Sequence, residues 1–277
     1  MERLALYITR WTDRPEKPEY KAMLANASFW EGTRVDLKVC IHGSLSENVE
    51  KAEKDCKAAG VEFVTYEHAP FPRINAQLFR DILLTDYTYV GVMDDDTYID
   101  DEAMFATFAI RAFNLFSPWP FVEVMPVGFV GPKRAYVDNQ NIWVPKQKDW
   151  SCAGCQLYRV DALRETASLW YSTLHEAKRF CDNMLHVCVA YANYGTMRFY
   201  APGYRHVRSQ GVGAVYNQKW YLESLADTYH DFAMYRNALA ACTHPHITVL
   251  RKEIDSAERG SIKTLNERAQ KYGIRTV

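Results

Sequence analysis

The chain has 277 residues, enough for one large domain or two small ones, and at 48% hydrophobic residues it can bury a core of its own. Its formal net charge of −1 excludes neither anionic nor neutral partners. That charge is uneven: residues 1–150 carry 17 Lys/Arg against 23 Asp/Glu, a net of −6, and residues 151–277 carry 16 against 11, a net of +5. An acidic first half suits a metal site, and a basic second half suits a phosphate-bearing ligand or acceptor. The seven cysteines offer no zinc framework, because Cys152 and Cys155 form a lone C-x-x-C with no second pair. They read as small buried thiols of a reducing compartment. No signal peptide is visible at the start, and no apolar run approaches the ~20 residues of a membrane span. The expectation is a soluble, cytoplasmic protein.

Residues 4–8 predict a first strand, followed by a polar loop over 9–15. Residues 18–30 predict a helix with Tyr20, Met23, Leu24 and Trp30 as its apolar residues. A second strand is predicted over 35–41, ending at His42-Gly43-Ser44. A helix over 46–59 follows, with Ser46 as cap and Gly60 as stop. Residues 61–66 predict the third strand, 75–84 a helix and 87–93 the fourth strand. Strands alternating with helices at this spacing predict an α/β fold: a doubly wound, mostly parallel sheet with helices on both faces. There is no G-x-G-x-x-G and no Walker A motif, so phosphates would have to be held by a metal and side chains.

Further on, a helix over 100–116 is closed by Ser117-Pro118-Trp119-Pro120. Strands and a loop are predicted over 121–147, and helices over 161–174 and 179–191. A strand and a Gly-containing loop follow over 196–217. Helices over 219–242 and 253–272 complete the chain. There is no internal repeat and no low-complexity segment.

The fourth strand empties into Asp94-Asp95-Asp96. Three carboxylates at the carboxyl end of a buried strand require a compensating cation, and in open α/β sheets that is where ligands sit. A hard divalent metal with oxygen ligands, itself holding phosphates, meets the requirement. A solvated acidic turn is the alternative.

Three more features follow in order. Trp150-Ser151-Cys152-Ala153-Gly154-Cys155 places small residues after a tryptophan, as a backbone does where it approaches a ligand closely. Phe180-Cys181-Asp182-Asn183 sets an acid at a predicted helix start. Tyr204-Arg205-His206-Val207 precedes a glycine-bearing loop.

In this ordering the chain resembles the GT-A family of nucleotide-sugar glycosyltransferases, most closely its fringe-type and family-2-type branches. The resemblance runs through motifs from residue 3 to about 208. It implies that Asp94 and Asp96 form the D-x-D that binds Mn²⁺ or Mg²⁺ and the nucleotide diphosphate, with Asp95 between them. It implies that the Cys152–Cys155 segment lies under the donor sugar, with Cys and Ala replacing some of the usual glycines. Asp182 matches the family's acid at a helix start, without the usual second acid beside it. His206 is the match for the histidine that completes the metal shell. The implied division is a GT-A-like catalytic domain over 1–217, with 1–100 as nucleotide-binding half and 101–217 as acceptor half, and a C-terminal helical extension over 218–277.

The chemistry agrees independently. A departing nucleoside diphosphate builds negative charge that a divalent metal can stabilise, and the acceptor hydroxyl needs a positioned base. Asp182 is the candidate base of an inverting enzyme; its other reading is a helix N-cap, and a retaining mechanism would stand in that case. Thr9 and Arg10, after the first strand, are candidates for nucleotide contact, as are Arg73, Asn75 and Arg80, which otherwise form a solvated helix face. Trp150, Ala153, Gly154, Arg205 and Arg208 are candidates for the sugar and acceptor; Trp150 also reads as core.

The donor expected from the family is a UDP-sugar. The compact chain and basic second half also resemble bacteriophage enzymes that glycosylate hydroxymethylated pyrimidines in DNA, acting in the host cytoplasm. Arg198, Arg205, Arg208, Arg251, Lys252, Arg259, Lys263, Arg268 and Lys271 are the cations available for DNA phosphates. Polysaccharide, protein or small-molecule acceptors remain alternatives, as do a nucleotidyltransferase and a non-catalytic nucleotide-sugar-binding module.

Overall fold

The computed structural model of the chain describes residues 2–115, 121–126, 136–137, 142–143, 154–179, 197–201, 204–206, 216–240 and 247–277. Strand β1 (Leu4–Trp11) is its centre. It pairs in parallel with β2 (Val35–Gly43) on one side and β4 (Tyr89–Asp94) on the other. Strand β3 (Glu62–Glu67) pairs in parallel outside β2.

Beyond β4 the sheet continues with β9 (Cys155–Arg159), β6 (Phe121–Pro126), β10 (Met197–Ala201), β8 (Ile142–Trp143) and β7 (Tyr136–Val137). The longest ladders are parallel; β4 with β9, β9 with β6, β10 with β8 and β8 with β7 are antiparallel. A separate two-stranded sheet joins β5 (Thr97–Ile99) to β11 (Tyr204–His206), antiparallel.

A central parallel strand is covered on both faces and therefore reads as continuous apolar sequence. Leu4, Leu6 and Ile8 point to one core, where they meet Met23, Cys56, Phe105 and Ala109. Ala5 and Tyr7 point to the other, with Ile74, Phe79, Val92, Tyr158 and Trp170. The first core is roofed by α1 (Pro18–Ala25), α2 (Ser46–Ala58) and α4 (Glu102–Leu115). The second is roofed by α3 (Phe71–Ile82), α5 (Val160–Glu165) and α6 (Ala167–Glu176). At its heart Phe79 meets Tyr158 and Trp170 edge-on, at 5.4 and 6.1 Å between ring centres. Gly91 is required where β4 passes between its neighbours, since a Cβ there would lie 2.6 Å from Leu6 Cδ1 and 2.7 Å from Leu157 Cδ2.

Several boundaries differ from the sequence expectation. Strand β1 runs on to Trp11, because its last residues pair with Cys40–His42 of β2. The helix predicted over 18–30 is α1 followed by a 3₁₀ turn, Ala27–Trp30. Ser46 is the first helical residue of α2 and Leu45 holds the cap position, so Ser46 is not the cap. The amides ahead of that helix are satisfied from another loop: Asp13 accepts from Ser44 N at 2.8 Å and Leu45 N at 3.4 Å. Gly60, at φ +69°, does end the segment, and Val61 N returns to Cys56 O at 2.9 Å. Helix α3 starts four residues early, because Pro72 is suited to a first helical turn. The helix predicted over 161–174 breaks at Thr166, whose hydroxyl donates back to Ala162 O.

The C-terminal extension is a helix pair, α7 (Gln218–Ala240) and α8 (Ile247–Lys271). The two run antiparallel: Tyr221 bonds Asn266, and Arg236 bonds Asp255 and Glu258. Phe232, Tyr235, Leu239 and Ile254 join the second core, which fixes the extension to the α3–α6 face. Among the described residues, no helix is long and apolar enough to cross a membrane.

Candidate active site

The chain leaves β1 toward β2 and β3, then returns to β4 on the opposite side of β1. Such a reversal opens a crevice at the carboxyl ends of the strands. The register settles which residues meet there: Thr9 stands between Cys40 and Asp94, and Trp11 stands beside His42. A cleft of about 560 Å³ opens at this point. Its walls are the ends of β1, β2 and β4, the β3–α3 connection, and the end of α6.

One wall is aromatic. Trp11 lies nearly parallel to His42, 6.1 Å between ring centres, and to His68, 6.4 Å away. The Arg14 guanidinium sits 4.0 Å from the Trp11 ring centre. Trp11 Nε1 donates to Asp13 Oδ2 at 3.0 Å, which fixes the ring. Burial opposes the charge on Asp13, but donors from Ser44, Trp11 and Leu45 outweigh it and hold the carboxyl down at about 2. His42 is buried and its Nδ1 has no hydrogen-bond partner among the described residues. Burial, reinforced by neighbouring His68, lowers it to about 4, so His42 is a neutral imidazole at neutral pH.

The floor is acidic. Asp94, Asp95 and Asp96 all line the cleft. Asp95 is engaged from beneath: its Oδ2 accepts from Arg10 Nη1 at 3.0 Å, both side chains being largely buried. Burial raises its pKa, and Arg10 counters that. Arg10 also donates to the carbonyls of Trp11 and Arg14, so it braces the loop after β1.

Thr97 Oγ1 donates to Asp94 O at 2.6 Å and closes the acid turn. Asp94 N donates to Gly154 O at 2.8 Å, which brings Gly154 against the first of the acids. His206 pairs with Thr97 in the β5–β11 ladder, so its backbone stands next to the same turn.

The remaining lining is cationic: Arg14, Lys17, Lys178 and Arg179. Asp95 is matched by Arg10, and Lys178 Nζ lies 3.7 Å from Asp227. Cations beside the carboxylates of Asp94 and Asp96 suit a phosphate-bearing ligand that brings a divalent cation. Among the described residues no three His, Cys, Asp or Glu side chains converge as a metal cage. The donor set nevertheless fits Mn²⁺ or Mg²⁺: two carboxylates at a strand end would hold the cation, and ligand phosphates would complete its shell.

The other expected residues divide by position. Thr9 lines the cleft. Arg73 faces away, donating to His175 Nε2 at 3.2 Å. Asn75 is buried in α3, and Arg80 is exposed with Asp81. The cleft touches only the start of α3, at Phe71, and a helix rises about 1.5 Å per residue, which sets Arg80 more than two turns away. The Arg205 and His206 side chains, and Trp150, Ala153, Asp182 and Arg208 entirely, lie outside the described residues. Trp11, Arg14, Lys17, His42, His68, Lys178 and Arg179 were not singled out as site residues in the sequence. Trp11 and His42 had a readable signal, the shared carboxyl edge of adjacent parallel strands. Lys178 and Arg179 had none.

No family model matches the chain, and no curated protein sequence matches it. Solved structures do match. S. aureus TarS 1–349 superposes with a TM-score of 0.59 at 9% identity, over 91% of this chain and 70% of that one. The fold is GT-A-like. The same TarS fragment in complex with UDP gives 0.58 at 10% identity, over 91% and 70%. Mannosyltransferase PcManGT from Pyrobaculum calidifontis, in complex with GDP-Man and Mn²⁺, gives 0.53 at 11% identity, over 99% and 76%. The GT-A-like fold has a mixed α/β sheet, helices on both faces and the helical C-terminal extension. Identities this low establish the architecture alone.

Proposed function

We propose that the chain is a metal-assisted glycosyltransferase, moving a sugar from a nucleoside-diphosphate sugar to an acceptor hydroxyl. The carrying observation is the cleft at the sheet's reversal point, where Asp94 and Asp96 face Arg14, Lys17, Lys178 and Arg179 beside an aromatic wall. Acids that hold a divalent cation, cations that take phosphates and a flat wall for a base are what a nucleoside diphosphate needs. The architecture supports this reading, because structures with the same fold were solved with UDP and with GDP-Man and Mn²⁺. The UDP-sugar donor is carried over from the sequence resemblance.

In the reaction the acceptor oxygen attacks the anomeric carbon, the bond from that carbon to the diphosphate oxygen breaks, and the acceptor proton passes to a base. Asp182 is proposed as that base. Mn²⁺ or Mg²⁺, held by Asp94 and Asp96 with His206 proposed as a third ligand, would supply Lewis-acid stabilisation of the leaving diphosphate. The cations that line the cleft would orient the diphosphate and offset its charge. The domain division, with residues 1–100 holding the nucleotide and 101–217 the acceptor, is part of the proposal.

For the acceptor, hydroxymethylpyrimidine in DNA is the specific candidate to test against a glycan. On α8, Arg251, Lys252 and Arg259 are exposed, while three of the other cations are engaged within the protein. Lys263 pairs with Glu267 at 3.8 Å, and Arg268 and Lys271 lie over Tyr216 and Tyr272.

The test is release of nucleoside diphosphate from a panel of UDP- and GDP-sugars, with Mn²⁺ or with EDTA, with and without hydroxymethylated DNA. Metal-dependent release that transfers sugar supports the proposal, and stimulation by that DNA assigns the acceptor. Binding without turnover of any donor would make the chain a binding module. In a parallel assay with a nucleoside triphosphate and a sugar phosphate, nucleotide transfer with pyrophosphate release would make it a nucleotidyltransferase.

A further inference from the structure

The C-terminal helix pair reaches the cleft through one buried carboxylate. Asp231 of α7 is fully buried. It accepts from the backbone N–H of Lys178 at 3.0 Å and from that of Arg179 at 2.8 Å. His230 Nδ1 lies 3.0 Å from the same carboxylate. One turn earlier on α7, Asp227 lies 3.7 Å from Lys178 Nζ. Lys178 and Arg179 follow the end of α6, where the chain leaves regular structure at Ala177, and both line the cleft that the acid turn floors.

A buried carboxylate is costly unless its lone pairs are taken up. Here they are taken up by two successive main-chain amides, so the charge pins a short non-helical segment in one conformation. The consequence for the two side chains is geometric. A flexible Lys-Arg pair loses affinity to the entropy of ordering, and a backbone already fixed removes part of that cost.

We propose that Lys178 and Arg179 form a second phosphate-binding element in the cleft that Asp94 and Asp96 line, and that Asp231 is its positioning residue. The extension over 218–277 is then part of the donor site. This rests on the glycosyltransferase reading for the identity of the ligand, a nucleoside diphosphate, but not for the presence of a diphosphate-binding element.

The experiment measures binding of UDP, GDP, the parent nucleosides and inorganic pyrophosphate, each with Mn²⁺, to the full chain and its variants. Lys178→Met with Arg179→Gln should weaken the nucleoside diphosphate that binds by about thirtyfold or more, as loss of charge-assisted bonds does, and leave its nucleoside unchanged. Asp231→Asn keeps the shape but cannot accept from both amides with the same charge. It should weaken the diphosphate by about five- to tenfold with the nucleoside unchanged. Adding it to the Lys178→Met/Arg179→Gln variant should change little more, because both act on one element.

Equal binding of the diphosphate by wild type and the double variant overturns the proposal. So does a parallel loss of nucleoside and diphosphate in Asp231→Asn, or full additivity of the two changes. If neither UDP nor GDP binds the wild type, the glycosyltransferase reading fails separately. Pyrophosphate then decides the inference: binding lost in the double variant upholds it, and no binding or unchanged binding overturns it.

Discussion

The backbone N–H of Asp94 donates to the carbonyl of Gly154 across 2.8 Å, so the first acid of the triplet hangs from a glycine sixty residues further along the chain. The bond lies just past the last pair of the β4–β9 ladder, Met93 with Cys155. The bond keeps the end of β4 and the Gly154 backbone at a set separation.

Asp96 and Asp95 should behave differently. Asp96→Asn removes a cleft carboxylate and is expected to lower sugar transfer on the order of a hundredfold, with an unchanged melting temperature. Asp95→Ala strands the buried Arg10 guanidinium and is expected to destabilise the fold by roughly 3 kcal/mol. Thermal melts and initial rates of both variants separate the two roles. Equal melting losses would remove the distinction.

Gly43→Ala should disturb the aromatic wall from behind. A Cβ at Gly43 would lie 2.0 Å from Thr12 Oγ1 and 3.1 Å from Asp13 Oδ1, so the side chains of Thr12 and of Asp13, which holds the Trp11 ring, must give way. Donor affinity is expected to fall by about tenfold, on the order of one displaced contact. The comparison is with Gly260→Ala, where the added Cβ meets nothing within 4 Å. Calorimetric titration of UDP into the two variants checks it.

Acid should weaken the fold through His42. Its pKa is lowered from 6.5 to about 4 in the folded protein, so below pH 6.5 the unfolded chain takes up a proton that the folded one refuses. The stabilisation is full above 6.5 and drains away as the pH falls toward 4, by roughly 3 kcal/mol in all. His42→Gln should flatten that part of the stability curve. Urea melts at pH 7 and pH 5 would show it, and identical slopes in wild type and variant would sink it.

The sheet core gives a prediction independent of any ligand. Gly91→Ala forces a methyl between Leu6 and Leu157 and should cost about 1–3 kcal/mol. Trp170→Ala empties a fully buried site against Phe79 and should cost about 3–5 kcal/mol. Chemical denaturation measures both.

How much of this was readable follows from how local each signal is. Val90 to Met93 and the acids after them announce a buried strand and the acidic turn at its end, because both signals lie in adjacent residues. Gly60 announces a helix stop for the same reason. The end of β1 was not readable: Thr9, Arg10 and Trp11 look polar and loop-like, and only the partners Cys40 to His42 make them strand. Ser46 looked like a cap because nothing nearby shows that Asp13, on another loop, already holds the amides ahead of α2. Lys178 and Arg179 are ordinary surface cations in sequence. Their place in the cleft depends on Asp231, fifty residues later.

The pairing of His206 with Thr97 has a consequence for a chain still being made. Strands β1, β2 and β4 can assemble once the first hundred residues have left the ribosome, and domains do fold as they emerge. The acid turn would at that stage have neither Gly154 above it nor β11 beside it. A nascent chain of that length carries a nearly finished parallel half-sheet with an unguarded acidic edge. The acid turn gains its Gly154 and β11 contacts only when those last contributors arrive, so a copy terminated before residue 154 lacks the bonds that hold Asp94 and Thr97 in place.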